Sequence, residues 1–206
     1  MVVVIDTGLG NVASIVNMLR LLKCEAVTSN DPDLVYSADR IILPGVGSFD
    51  AGMRNMRSYG LDEAIRNTVR TRDVPLLGVC LGMQLLVDSS EEGELAGLGV
   101  IPGRVVKIPT IDNMGCRHKL PHMGWNSIEV IRTSELFAEC NTERRFYFVH
   151  SYHVVPRDPL LITSTARLGN TILTASIQSG KVFGAQFHPE KSHRFGIELF
   201  KNFLKV

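Results

Sequence analysis

"LLGVCLGMQLL", residues 76–86, opens as a buried strand and closes as a buried helix. Cys80 stands at the corner, with Gly78 two residues before it and Gly82 two residues after. G-x-C-x-G at a strand-to-helix junction has the layout of a nucleophile elbow, a sharp turn that lifts a side chain clear at the carboxyl edge of a sheet. Glycines on both sides permit close backbone packing around such a turn. A helix from Leu81 to about Asp88 would set free N–H groups and a positive dipole end beside the sulfur, favouring thiolate. A buried structural cysteine accounts for the same residues equally well, because Cys packs as a small hydrophobe.

Elements on either side of the elbow set the fold class. "VVVID" (2–6) is a β-branched run ending in the turn "TGLGN", and Val12, Ile15, Val16, Leu19 and Leu22 then recur at helical spacing. "EAVTS" (25–29) reads as a second strand closed by Asn30-Asp31-Pro32, and "RIILPGVG" (40–47) as a third running into a Pro/Gly loop. Helical patterns cover 49–58 and 61–72 before the elbow strand, "VPLLGVC" (74–80). This alternation predicts an α/β fold with a mostly parallel, doubly wound sheet and helices on both faces. Beyond residue 104 the texture changes. "RVVKI", "NSIEVI", "RRFYFVHSYHVV", "LLITSTA", "NTILTASI" and "KVFGAQF" predict a hairpin-rich, antiparallel edge. A final helix begins near Ser192, with Phe195, Leu199, Phe200, Phe203 and Leu204 on its buried face.

At 206 residues and 45% apolar composition, one core is expected and 1–206 reads as a single domain. Lys plus Arg number 22 against 21 Asp plus Glu, which argues against a nucleic-acid partner. The longest apolar stretch, Val74–Val87, carries Gln84 and falls short of the roughly 20 residues a membrane span needs. The start lacks a basic n-region and reaches Asp6 early, and the cysteines at 24, 80, 116 and 140 form no CxxC pair. A cytoplasmic protein with reduced thiols is expected.

A nucleophilic thiolate needs a base, and the base an orienting group. "FGAQFHPEKS" (183–192) offers His188 and Glu190 at i and i+2 beyond a strand, on one face of an extended segment, stiffened by Pro189. Such a carboxylate would hold one imidazole tautomer and stabilise the cation. An ordinary turn fits an isolated HPE as well. In "LPGVGSF" (43–49), Gly45 and Gly47 free the backbone around Val46 to present N–H groups, as an oxyanion hole requires. If strands three and four are neighbours, both loops lie where doubly wound folds bind ligands. Gln84 lies one helical turn beyond Cys80 and can reach the same pocket.

Two other patterns carry less. "GLGNVA" (8–13) matches G-x-G-x-x-A, with Asp31 roughly where a ribose-binding acid would fall, so nucleotide binding stays a minority alternative. Asp31, however, belongs to an N-D-P turn. Cys116, His118 and His122 could suggest a metal, but they lack a fourth ligand and the spacing of zinc sites.

Taken together, "GVCLGMQ" around Cys80, "HPEKS" (188–192) and "PGVG" (44–47) resemble the triad, or class I, glutamine amidotransferases over the whole chain. "IDTGLGN", "LPHMGWN" (120–126), "YFVHSYHV" (147–154) and Lys191 narrow the likeness to the glutaminase subunits of imidazole glycerol phosphate synthases. Two departures lie outside the triad: Thr7 stands where an aromatic is frequent, and "TIDNMGCRH" (110–118) is long.

The resemblance implies that Cys80, His188 and Glu190 hydrolyse L-glutamine through a γ-glutamyl thioester, with no metal or cofactor. It implies oxyanion donors at Leu81 and around Val46, and a glutamine site including Gly47, Gln84, His150, Ser151 and Tyr152. It places Asn11, Trp125 and Lys191 at the interface with a (βα)8-barrel cyclase, forming a heterodimer. The cyclase would receive ammonia through a channel and make imidazole glycerol phosphate and AICAR in histidine biosynthesis. Two alternatives remain open: a paralogous amidotransferase serving another pathway such as surface-sugar synthesis, and a free-standing Cys hydrolase.

Overall fold

The computed structural model describes residues 1–112, 114–138 and 143–206. Cys140, one of the four cysteines, lies outside the described residues. Strands β1 (Val2–Ile5), β2 (Ala26–Ser29), β3 (Arg40–Gly45) and β4 (Leu76–Cys80) alternate with helices α1 (Val12–Leu21), α2 (Pro32–Ser37), α3 (Phe49–Ser58) and α4 (Leu61–Arg72). The elbow helix α5 (Leu81–Leu85) follows β4 directly. Then come β5 (Ser89–Ser90), β6 (Gly103–Lys107), β7 (His122–Val130), β8 (Arg144–His150), β9 (Tyr152–Pro156), β10 (Ile162–Leu168), β11 (Thr171–Ser179), β12 (Val182–Ala185) and helix α6 (His193–Phe203).

Nine strands form one sheet in the order β2-β1-β3-β4-β12-β11-β10-β7-β8, and β5-β6-β9 form a second. The first five strands of the large sheet are parallel and the remaining four antiparallel; the change of texture anticipated the antiparallel part, but not that β12 joins the parallel part or that β6 and β9 leave for a second sheet. Strand period two divides the core between the faces. Val2, Val4, Ile42, Leu77 and Val79 pack with Ile15, Leu19, Leu199, Phe200 and Phe203 of α1 and α6. Val3, Ile5, Ile41, Leu43 and Leu76 pack with Phe49, Met53, Leu61 and Ile65 of α3 and α4. No helix among the described residues is long and apolar enough to cross a membrane.

Four local expectations change. Asn30-Asp31-Pro32 starts a helix as well as ending a strand, since the Asp31 carboxylate accepts from Asp33 N at 3.0 Å and caps α2. Helix α5 stops at Leu85, short of Asp88. Its last carbonyls, on Leu85 and Leu86, are captured by Leu98, Val100 and Ile101 N–H groups from the following loop. "RRFYFVHSYHVV" breaks at Ser151 into β8 and β9, which belong to different sheets. Trp125, which the resemblance implies on an interface loop, stands within β7, opposite Tyr147.

"KVFGAQF" also does more than close a hairpin. Strand β12 pairs antiparallel with β11 on one side and parallel with β4 on the other, Ala185 facing Val79. Strand β3 flanks β4 on its other edge, Gly45 facing Cys80. The carboxyl ends of β3, β4 and β12 therefore meet at one edge of the sheet.

Candidate active site

Cys80 is buried at the end of β4, with φ +54° and ψ −110°. Such a backbone costs a non-glycine residue about 1–3 kcal/mol and persists only where its surroundings enforce it. The flanking glycines explain how. A Cβ on Gly78 would lie 2.7 Å from the Gly82 carbonyl oxygen, and one on Gly82 would overlap the Leu43 carbonyl. The turn is tight because both side chains are missing. Gly45 serves the same packing, since a Cβ there would lie 2.9 Å from Leu81 Cβ.

The chain after β12 brings the base. His188 N donates to Tyr147 O at 2.8 Å, and Ser192 Oγ donates to His188 O at 2.6 Å. Phe187, wholly buried, stacks on Phe146 at 3.9 Å between centroids. With its backbone held, His188 directs Nδ1 to Glu190 Oε1 at 2.7 Å. Nε2 is buried without a hydrogen-bond partner among the described residues, and is the nitrogen available to the sulfur or a substrate. Burial opposes a charge on this ring. The Cys80 sulfur and the Glu190 carboxylate outweigh it and push the pKa up to about 9.

A cavity of about 270 Å³ opens beside the pair, lined by Val46, Gly47, Cys80, Leu81, Gln84, Glu92, Pro121, Val149, His150, Ser151, Tyr152 and His188. Every expected glutamine-site residue except Gly45 is on this wall, and Gly45 lies beneath it. Gln84 is pinned, donating to Tyr152 O and to Gln186 Oε1, each at 3.0 Å. Val46 N is not turned to the cavity as an oxyanion donor: it donates to Leu9 O at 3.3 Å. Leu81 is the first residue of α5, so its N–H has no partner within the helix.

The glycine turn 8–10 packs on that loop, a Cβ on Gly10 lying 3.5 Å from Pro44. Asn11 is exposed at the start of α1 and makes no side-chain cap. Helix α1 packs against the 189–191 turn, which carries Lys191, exposed, with Nζ 5.6 Å from the centre of the Tyr147 ring. Trp125 is 42% exposed and stacks on His193 at 5.5 Å. Of the metal suggestion, His118 pairs with Asp112 at 3.3 Å, while His122 faces His150 at 3.0 Å.

The class I glutamine amidotransferase family model matches residues 3–206. This chain belongs to that family. The amidotransferase is 44% identical over 205 residues to "Imidazole glycerol phosphate synthase subunit HisH 2" of Methanococcus maripaludis, covering 100% of this chain and 99% of that protein. It is 44% identical over 206 residues to the like-named subunit of Pseudomonas aeruginosa, covering 100% of both. Among solved structures, one described as a glutamine amidotransferase superposes with a TM-score of 0.74 at 22% identity, covering 100% of this chain and 98% of the other. That last likeness shows the fold.

Three residues at the amidotransferase site were missed in the sequence. Glu92 lies on a loop without periodicity, and its carboxylate, accepting from Phe49 N at 2.8 Å, borders the cavity. Gln186 stands two residues before His188, is buried, and sends Nε2 to within 3.9 Å of Cys80 Sγ. A buried polar residue in an apolar strand end was the available signal. Ser192 was read only as a helix start, although its hydroxyl holds both His188 O and Tyr147 N.

Proposed function

We propose that the chain is one glutaminase domain, the subunit of an imidazole glycerol phosphate synthase that releases ammonia from L-glutamine. The observation that carries this is Cys80 at a strained elbow beside a His188 held by Glu190 at 2.7 Å, with Cys80 and His188 both bordering one small cavity. Cys80 sulfur attacks the carboxamide carbon, and His188 gives its Nε2 proton to the departing ammonia. Water then attacks the thioester, its proton passing to His188, and the thiolate leaves. Glu190 holds the ring in place throughout. Glu92 supplies a carboxylate for the ammonium of an amino acid, and Gln84, His150 and Tyr152 close the remaining wall.

The bond from Val46 N to Leu9 O bears on regulation. While it stands, Leu81 is the one backbone donor offered to the developing oxyanion. Turning Val46 inward would supply the second, and Gly47, at φ +101° with open space around it, can absorb the change. A cyclase seated on Asn11, Trp125 and Lys191 would press on the same Gly8–Gly10 turn that holds the bond. Slow hydrolysis by the chain alone and acceleration of roughly 10²-fold or more by a cyclase with its acceptor follow.

Glutamate release, measured with and without the proposed barrel cyclase, tests this. 6-Diazo-5-oxonorleucine should label Cys80 and spare Cys24, Cys116 and Cys140. Full activity in the isolated chain, indifferent to any cyclase, would make it a free-standing hydrolase. Two relatives carry the numeral 2 in their names, which supports a second reading: the same chemistry supplying another acceptor, such as one in surface-sugar synthesis. The acceptor that accelerates glutamate release separates the two.

A further inference from the structure

Behind the wall of the cavity lies a chain of polar groups, centred on two buried histidines, that the triad does not use. Asn126 Nδ2 is 2.7 Å from Arg167 O and 3.0 Å from His122 Nε2. His122 Nδ1 is 3.0 Å from His150 Nε2, and His150 Nδ1 is 2.8 Å from Tyr152 O. Both rings are buried, and His122 is clamped against Phe148 at 4.8 Å between centroids.

Two carbonyls fix the polarity of this chain, because a carbonyl can only accept. Tyr152 O requires the proton of His150 on Nδ1, leaving Nε2 as an acceptor. His122 must then donate from Nδ1, and its Nε2 accepts in turn. Arg167 O requires the amide nitrogen of Asn126 on its side, and the same NH₂ group supplies the donor to His122. Every donor meets one acceptor with both rings neutral. One proton more at the His122–His150 contact would set two N–H groups head to head.

The surroundings agree. Titratable groups facing His150 are His122 on β7, His153 on β9, His188 beyond β12 and, across the cavity, Glu92. Burial and the neighbouring rings push His150 down to about 3, and burial lowers His122. Both rings are thereby confined to the Nδ1–H tautomer. The chain ends where Tyr152 O also receives Gln84, which holds Gln186, which reaches Cys80.

We propose that His122 and Asn126 are positioning residues: through this one-directional chain they fix the His150 ring and the Tyr152 carbonyl, and so the wall against which glutamine is placed. The proposal rests on the glutaminase function above. His122 does not line the cavity and acts through His150. The sequence placed both residues within "LPHMGWN", Asn126 without a chemical role and His122 only as a weak metal suggestion, and β7 is what aligns them, four residues apart, behind the cavity.

The test has two arms on the full chain. In wild type at pH 7, nitrogen-15 spectra of the histidine rings should show His122 and His150 neutral with the proton on Nδ1, assigned with His122→Ala and His150→Gln. An Nε2–H form or a cation at either ring overturns the chain of bonds. In the second arm, Cys80 is labelled with 6-diazo-5-oxonorleucine, which must occupy the glutamine site, and separately with iodoacetamide, which need not. His122→Ala should lower the ratio of the two rates about tenfold and Asn126→Ala about threefold, since each strands a buried partner. His122→Asn, whose amide can donate where Nδ1 did, should recover most of the loss. A labelled wild type with ratios unchanged in the variants overturns the positioning role alone. An unlabelled wild-type Cys80 overturns the glutaminase assignment, while the tautomers still report on the bonds.

Discussion

Two histidines border the same cavity, both buried, and they hold protons in opposite ways. His188 is pushed up to about 9, because Cys80 and Glu190 outweigh the cost of burial. His150 is pushed down to about 3, because burial dominates and its neighbours include three more imidazoles. Burial is common to both, so the partners decide. A carboxylate at 2.7 Å rewards a charged ring, whereas at His150 burial and the facing imidazoles outweigh the carbonyl at 2.8 Å, which favours the charged form only weakly and fixes the tautomer of the neutral ring. The parallel half of the sheet supplies the charged, reactive wall through β4 and β12, and the antiparallel half supplies the neutral, shape-keeping wall through β7 and β8.

Removing the charged wall should have the largest effect. Cys80→Ala and His188→Asn should each lower glutamine hydrolysis by about 10³-fold or more, and Glu190→Gln by about 10²-fold, measured as glutamate released. The order follows from the roles: the first two exchange bonds or protons with substrate, the third orients and polarises. Glu190→Gln matching wild type would break the contrast between the two histidines. Structural support for this wall is tested by Gly82→Ala. Its methyl meets the Leu43 backbone, so a loss of about 3 kcal/mol is expected by chemical denaturation.

Acid and alkali should act on different walls. His188, raised when folded, contributes stability that is complete below about 6.5 and is lost as pH climbs through about 9. His150 and His153, depressed to about 3 and about 4, contribute stability present above about 6.5 and lost as pH falls through those values. Urea midpoints followed across pH should therefore fall on both sides of neutrality. His188→Asn should flatten the alkaline limb and His150→Gln the acid one. The same limb responding to both substitutions would show that the two walls are not independent.

The charged wall was far more legible in the sequence than the neutral one, for a physical reason. An elbow is a local event: Gly78, Cys80 and Gly82 announce it because each glycine answers a clash within a few residues or with the next strand. His188 and Glu190 likewise lie two apart. The β1–α1–β2 start and the α3–α4–β4 run were readable because each strand and helix presents its own period, whereas the six-residue α2 reads only as a turn. The neutral wall is assembled across strands. Nothing local in His122 says that it meets His150, and β12 joining β4 in parallel cannot be inferred from either segment alone. Glu92 sits on an aperiodic loop, and Trp125 is placed on a loop only by the family resemblance, whereas its strand β7 is fixed by pairing with β8.

Trp125 supplies the smallest expected effect and the finest test of that assembled wall. Its strand is β7, the one that carries His122 and Asn126, but its ring faces outward and is 42% exposed. In the isolated chain it meets His193 in a stack at 5.5 Å and Tyr147 edge-on at 6.3 Å. Aromatic pairs of this kind contribute about 0.5–1.5 kcal/mol, against about 3–5 kcal/mol for an aromatic ring lost from a core. Trp125→Ala should therefore cost the isolated chain about 1 kcal/mol in thermal or urea unfolding. If the ring is an anchor for the cyclase, the same substitution should weaken complex formation by a larger margin, on the order of 2 kcal/mol, because central aromatic anchors dominate binding. Calorimetric titration with the proposed cyclase subunit measures that difference. Equal losses in folding and in binding would mean that Trp125 only braces His193, and that the partner is held by other residues.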